Sequence, residues 1–268
     1  MIHTLATLYS AELDGLTAQL IEVEIDLNVG LHSFNIVGLA DKAVSEAKER
    51  VNSALKNAHT KPPNKENRKI TVNLAPADIK KSGSHYDLAI AIGYLCATKQ
   101  IKTFNTQDKL FVGELSLDGR IRPIHGVLSI ARLAKKLGNY ELYLPLENAR
   151  EGALIEGISI IPVTTLQSLI DHLEERILIK SIPHTTPEIN TSLDFPVDIS
   201  EIKGQEHAKR ALTIAAAGGH NLLMIGPPGS GKTMLAQSLL SILPPLDTEE
   251  SITVNLELKA YFLGVSKK

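Results

Sequence analysis

The chain has 268 residues, of which 43% are hydrophobic and 22% charged, with a formal charge of -2 at neutral pH. This is ordinary globular composition with length for roughly two domains, and it supplies no overall field for a polyanion, so any nucleic-acid contact has to come from a local basic surface. A single cysteine, Cys96, excludes an internal disulfide framework and any multi-cysteine metal site. The N-terminus lacks a basic segment followed by an apolar one, and no run approaches the roughly 20 apolar residues of a membrane span, so a cytoplasmic protein is expected.

Apolar and acidic residues alternate from Ile21 to Leu27, the pattern of a strand with one buried face. From Ala40 to Ala58 the period becomes helical, with Val44, Ala47, Val51 and Leu55 on one side, until Pro62-Pro63 stops continuation. Alternation resumes at Ile70, Val72 and Leu74. A polar loop through Ser82-Gly83-Ser84 then leads into an apolar helix from Asp87 to Ala97, which takes Cys96 into core packing. Leu110–Leu117 and Ile121–Ile124 flank Asp118-Gly119, a dipeptide suited to a tight hairpin. A helix from Val127 to Leu137 stops at Gly138, strands follow at Glu141–Leu144 and Ile158–Val163, and Leu166, Leu169, Ile170 and Leu173 mark another helix. Mixed elements through about Arg176 predict one α/β domain with α+β character, covering residues 1–178. A proline-containing polar stretch without periodicity predicts a connector over 179–197.

From residue 198 a second module begins. A helix through Ala208, Leu212 and Ala215 ends at Gly218-Gly219, Asn221–Ile225 reads as a short buried strand, and Met234–Leu240 continues as a helix. Between them lies Gly226-Pro227-Pro228-Gly229-Ser230-Gly231-Lys232-Thr233, a P-loop in the strand-loop-helix setting that separates a phosphate cradle from a chance match. Its glycines permit a turn that points backbone N–H groups inward, and the helix N-terminus adds a partial positive charge. Lys232 is expected on the β- and γ-phosphates of ATP, and the Thr233 hydroxyl on Mg²⁺. No residue is assigned a catalytic role. Hydrolysis also needs an acid near the metal and a group that positions water. The 22 residues beyond Leu246 contain no apolar strand ending in paired acids, and Glu249-Glu250 reads as a solvated pair.

Gly204–Leu212, Ala215–Met224 and the P-loop resemble the magnesium-chelatase-like AAA+ ATPases of the ComM/YifB type. Phe34–Asp41, Ile70–Asp78 and Tyr86–Ala91 resemble that family's leading domain. The resemblance implies a hexameric bacterial ATPase whose intact members act as DNA helicases in natural transformation. Residues 251–268 depart from the family where its acidic strand, sensors and arginine finger would follow, so the second module (198–268) is expected to be incomplete and hydrolysis weak. A non-catalytic scaffold is the alternative.

Gly113–Ile124 and Leu144–Asn148 also resemble the proteolytic domain of Lon proteases. That resemblance puts His85 at the place of the serine nucleophile and Leu128 at that of the lysine, with Ser84 and Ser129 only as neighbours. Peptidase activity is therefore not expected, since a serine without a base is a poor nucleophile. Asp87 is expected to cap the following helix and His85 to sit in the loop. Lys80-Lys81, Arg68-Lys69, Arg120 and Arg122 are the candidate contacts to DNA phosphates.

Overall fold

A computed structural model describes residues 4–138, 141–186, 196–244, 250, 253 and 254. These fall into two compact units, one comprising the described residues through Thr186 together with Val254, the other those within Pro187–Thr253.

The first unit is built on a seven-stranded sheet. Strands β1 (Thr4–Asp14) and β2 (Thr17–Val29) form a long antiparallel hairpin that turns at Gly15, where φ is +60°. Strand β4 (Arg68–Ala75) runs antiparallel to β2, and the short edge strand β3 (Ser33–Val37) runs parallel to β4. On the other side of β1 the strands β5 (Lys109–Phe111), β8 (Glu141–Pro145) and β9 (Ser159–Val163) are all parallel. The order is β3-β4-β2-β1-β5-β8-β9, mostly parallel with β2 reversed.

Alternation explains its inner face. Ile21, Val23, Ile25 and Leu27 of β2 and Ile70, Val72 and Leu74 of β4 are buried in one core with Val51, Ala54 and Leu55 of α2 (Ala47–Asn57) and most of α3 (Asp87–Ala97). Gly93 of α3 is where the helix comes closest, since a Cβ there would lie 2.2 Å from Ile25 Cδ1. Helix α4 (Val127–Gly138) and the single turn α5 (Ala149–Gly152) pack on the sheet, with Gly152 against Ile160 and Leu144, and α6 (Leu166–Leu173) starts in a capping box between Thr165 and Ser168.

Three local expectations are refined. The helical stretch from Ala40 breaks at Glu46 into α1 (Lys42–Ser45), capped by Asp41 through a 2.8 Å bond from Val44 N, and α2. The Asp118-Gly119 turn closes a much shorter hairpin, β6 (Glu114–Leu115) with β7 (Ile121–Arg122), because β5 leaves to join the main sheet. Residues 179–185 hold to the first unit: Ile182 N donates to Ile160 O at 2.9 Å and Thr185 N to Ala153 O at 2.9 Å.

Asp87 does not cap α3. Its carboxylate, with no exposed surface, accepts from Arg50 Nε at 2.6 Å, from Arg50 Nη2 at 3.0 Å and from Leu115 N at 3.1 Å. A tertiary partner 37 residues away outcompetes the local cap, because a charge-assisted bidentate pair is stronger than a bond to a helix N–H. Burial still pushes the Asp87 carboxyl up to about 6 against the lowering by Arg50. Arg50→Met would leave this carboxylate enclosed without its cation, a change that costs about 3–5 kcal/mol in stability. Urea denaturation checks this, and a loss below about 1 kcal/mol would contradict the role given to the pair.

The second unit packs α7 (Glu206–Gly218) against α8 (Lys232–Ser238) through Ile202, Leu212 and Leu235, with Val197, Ile199, Met224, Leu239 and Ile242 around them. Gly219, at φ +62°, ends α7 in the left-handed conformation. The strand expected at Asn221–Ile225 does not form. A strand exists only where a neighbour completes its ladder, and no described residue of this unit pairs with the segment.

Candidate functional site

The loop from Gly226 to Lys232 leads directly into α8. Gly229 and Gly231 both adopt positive φ, +79° and +82°, so the turn depends on residues without a Cβ at these two points. A Cβ at Gly226 would lie 3.0 Å from Ser230 Oγ and 3.9 Å from Lys232 Cδ, closing the space between the arms of the loop. The Lys232 ammonium turns back into that loop and donates to Gly226 O at 2.8 Å, Pro227 O at 2.7 Å and Ser230 Oγ at 3.3 Å. Leu235 N bonds to Gly231 O at 2.9 Å and begins the helix, while the Leu235 side chain anchors α8 on α7. Thr233 is exposed at the second position of α8. Structure and sequence therefore agree on the loop and its helix and differ on the strand before it. Residues 251, 252 and 255–257, from which an acidic strand is missing in the sequence, lie outside the described residues, as does Glu249.

Near the carboxyl ends of β1 and β4 the first unit holds a second polar cluster. Glu12, nearly fully buried, accepts from Ser82 N at 3.0 Å, from Ser82 Oγ at 2.8 Å and from the Tyr86 hydroxyl. Sequence reading misses Glu12, since an acid on a strand carries no sign that it points inward. The His85 ring lies 4.3 Å from that of Tyr86, and its Nε2 is buried without a hydrogen-bond partner, 3.9 Å from Glu12. His85 is thus more enclosed than a loop position implies. Ser84 donates to Glu114, and Ser129 donates to Leu16 O at 2.7 Å. Leu128 is buried. Ser84 and Ser129 donate to a carboxylate and a backbone carbonyl rather than to a lysine or histidine among the described residues.

Most of the basic residues considered for DNA phosphates are already engaged. Lys81 is buried and its ammonium donates to Pro76 O. Arg68 pairs with Glu66 at 3.1 Å, Arg120 with Asp118 at 2.7 Å and Arg122 with Glu114 at 3.3 Å, while Lys69 and Lys80 are exposed. A cation neutralised within the protein releases fewer counterions from a nucleic acid than a free one.

Comparison with known proteins fits both units. The family described as Subunit ChlI of Mg-chelatase matches residues 23–148, and that described as Magnesium chelatase, subunit ChlI, matches residues 198–260. The chain belongs to the magnesium-chelatase-like family. It is similar to Competence protein ComM of Haemophilus influenzae, 43% identical over 93% of this chain and 48% of the relative. It is also similar to YifB of Escherichia coli, 40% identical over 94% of this chain and 47% of the relative. The chain thus spans about half the length of these curated relatives. Weaker similarity reaches Lon protease 2 of Bacillus subtilis, 30% identical over 59% of this chain and 30% of that protein. In this member of the magnesium-chelatase-like family the Lon-like unit keeps a mixed α/β sheet, while Ser84 and Ser129 serve as hydrogen-bond donors to Glu114 and Leu16.

Burial lowers the pKa of His85 below the ordinary 6.5, opposed by Glu12, the Ala11 carbonyl and Asp41. The unfolded chain therefore takes up this proton first, so the contribution of neutral His85 is complete above pH 6.5 and is lost as pH falls toward the folded value. Urea denaturation of wild type and His85→Asn between about pH 5 and 8 should show wild type losing stability relative to the variant on acidification. A difference that stays flat over this range would contradict the assignment.

Proposed function

We propose that the chain is an ATP-binding AAA+ protein whose phosphate site is Gly226, Pro227, Pro228, Gly229, Ser230, Gly231, Lys232 and Thr233. The observation that carries this reading is Lys232, folded into the loop on two carbonyls and a hydroxyl at 2.7–3.3 Å, where triphosphate oxygens would be stronger partners for an ammonium. Two left-handed glycines and the missing Cβ at Gly226, where one would crowd Ser230 Oγ, fit the same purpose, since they leave the backbone room to approach an anion. Thr233 is the residue that would hold Mg²⁺, whose charge when bound offsets that of the β- and γ-phosphates.

The proposed organisation is a Lon-like domain over 1–178 to which residues 179–185 are hydrogen-bonded, a connector that ends at 197 and the nucleotide module from 198. In the cell we place the protein in the cytoplasm, where ATP is held; no described helix is long and apolar enough to cross a membrane. Its relation to a protein named for competence supports a part in DNA remodelling, and a homo-hexamer is the assembly that the family resemblance implies. Arg68, Arg120 and Arg122 already carry ion pairs at the surface, which a DNA phosphate would have to displace. A non-catalytic scaffold is the second reading, and the turnover measurement below separates the two.

Titration with fluorescent ATP separates the roles of the two side chains. Lys232→Ala should weaken binding about tenfold to a hundredfold with or without Mg²⁺, the loss of a charge-assisted contact worth about 1.5–3 kcal/mol. Thr233→Ala should remove mainly the gain from Mg²⁺ and leave metal-free binding nearly unchanged. Equal affinity of folded wild type and Lys232→Ala would overturn the site. Purified chain should turn over little ATP; turnover abolished by Lys232→Ala would instead show a working hydrolytic site and exclude the scaffold reading.

A further inference from the structure

The end of the first unit where β2 passes into β3 carries an aliphatic tip, a basic shoulder and a cavity. Strand β4 lies between β2 and β3, so the connection Gly30–His32 crosses its start, and the register sets Val29 opposite Arg68 and both Asn28 and Ser33 opposite Lys69. Val29 and Leu31, on either side of Gly30, are 99% and 93% exposed. Residues 56–69 hold Lys56, Lys61, Lys65, Arg68 and Lys69 against one acid, Glu66, in a chain whose net charge is -2. Glu66 takes Lys61 at 3.4 Å and Arg68 at 3.1 Å, while Lys65, Lys69 and Lys48 of α2 are exposed and make no ion pair among the described residues. A cavity of about 220 Å³ has Phe34 and Pro63 as apolar walls and Lys48, Glu49, Asn52 and Asn64 among its polar ones. Asn64 N donates to Asn52 Oδ1 at 3.2 Å, which leaves the Asn52 NH2 group as a donor.

On the reading of the chain as a DNA-remodelling protein, on which this inference rests, we propose that this end of the first unit binds DNA where a duplex opens into single strands. Lys48, Lys65 and Lys69 take phosphates, Val29 and Leu31 pack against the last base pair, and the first unpaired base enters the cavity onto Phe34. Each part meets a different demand of that partner. Cations not already neutralised within the protein release counterions from a polyanion. Aliphatic side chains beside them wedge against stacked bases, which cations alone do not. An unstacked base needs a ring face and polar groups at its edge, and Phe34 supplies the first while Asn52 and the Glu49 carboxylate supply a donor and an acceptor. An anionic lipid surface would use the tip and the cations but not an amide-lined cavity. A second copy of this chain would set the same cations against each other.

Fluorescence anisotropy of the full chain with a labelled forked duplex of mixed sequence, and with the fully paired duplex of the same paired length, tests the surface. Wild type should prefer the fork, and an abasic first nucleotide on each unpaired arm should weaken fork binding about fivefold or more. Lys48→Ala, Lys65→Ala and Lys69→Ala together should weaken both probes about tenfold or more and lower the slope of log affinity against log salt by about 2–3. Val29→Ser with Leu31→Ser should remove the preference for the fork and leave duplex affinity nearly unchanged, and all of these positions are exposed, so the variants should keep the wild-type thermal unfolding. Lys135→Ala, Lys136→Ala and Lys180→Ala together, an equal loss of exposed charge elsewhere on the unit, should leave the fork preference and most of the affinity intact. If wild type binds neither probe, the DNA-remodelling reading falls along with this surface. If wild type binds the fork and the Lys48, Lys65, Lys69 and tip variants match it, only the surface is overturned. Binding to vesicles of phosphatidylserine and phosphatidylcholine that the tip variant abolishes, with DNA binding unaltered in that variant, would assign the tip to a lipid surface and overturn the proposal.

Discussion

A buried carboxylate cannot remain charged without a partner, and in the first unit this constraint fixes the fold. Asp87 begins α3 with no access to water, and among the described residues Arg50 from α2 and the Leu115 amide from β6 satisfy it. Meeting that demand sets α2 against α3 and brings the hairpin β6–β7 to the start of the helix. Arg50 also reaches the Ala43 carbonyl at 3.0 Å, so α1 is drawn into the same arrangement. The apolar core supplies most of the driving force, but it is indifferent to direction, whereas a bidentate ion pair is not.

The two polar centres of the molecule are opposite in kind. Around Glu12 the donors Ser82 and Tyr86 are committed to one carboxylate, and His85 is packed on Tyr86. That cluster holds loop 82–86 to the end of β1. Around Lys232 the partners are weak neutral acceptors and the loop is exposed, so the cation can exchange them for a stronger anion.

Sequence makes most of the elements legible where the code is local. Strand β2 and strand β4 follow from strict alternation, α3 from its apolar run, and the P-loop from glycine spacing at a helix start. What escapes is decided at long range. Strand β1 is hidden because Ser10 and Glu12 occupy inward positions and break the apolar alternation. Asp87 looks like a helix cap because its partner stands 37 residues away. The segment Asn221–Ile225 has the composition of a strand, yet composition cannot provide the neighbour that turns an extended run into one. Loop chemistry is the easiest part to read, since a phosphate cradle is made by consecutive residues.

The central claim is that Gly226–Thr233 receives the phosphates of ATP. Hydrogen–deuterium exchange of the full chain, with and without MgATP, tests it most directly because the amides themselves are the proposed ligands. Exchange should slow across Gly229–Thr233 at saturating nucleotide, remain unchanged at Ser82–Tyr86, and lose its nucleotide response in Lys232→Ala. Unaltered exchange at Gly229–Thr233 in folded wild-type protein under the same conditions would contradict the account.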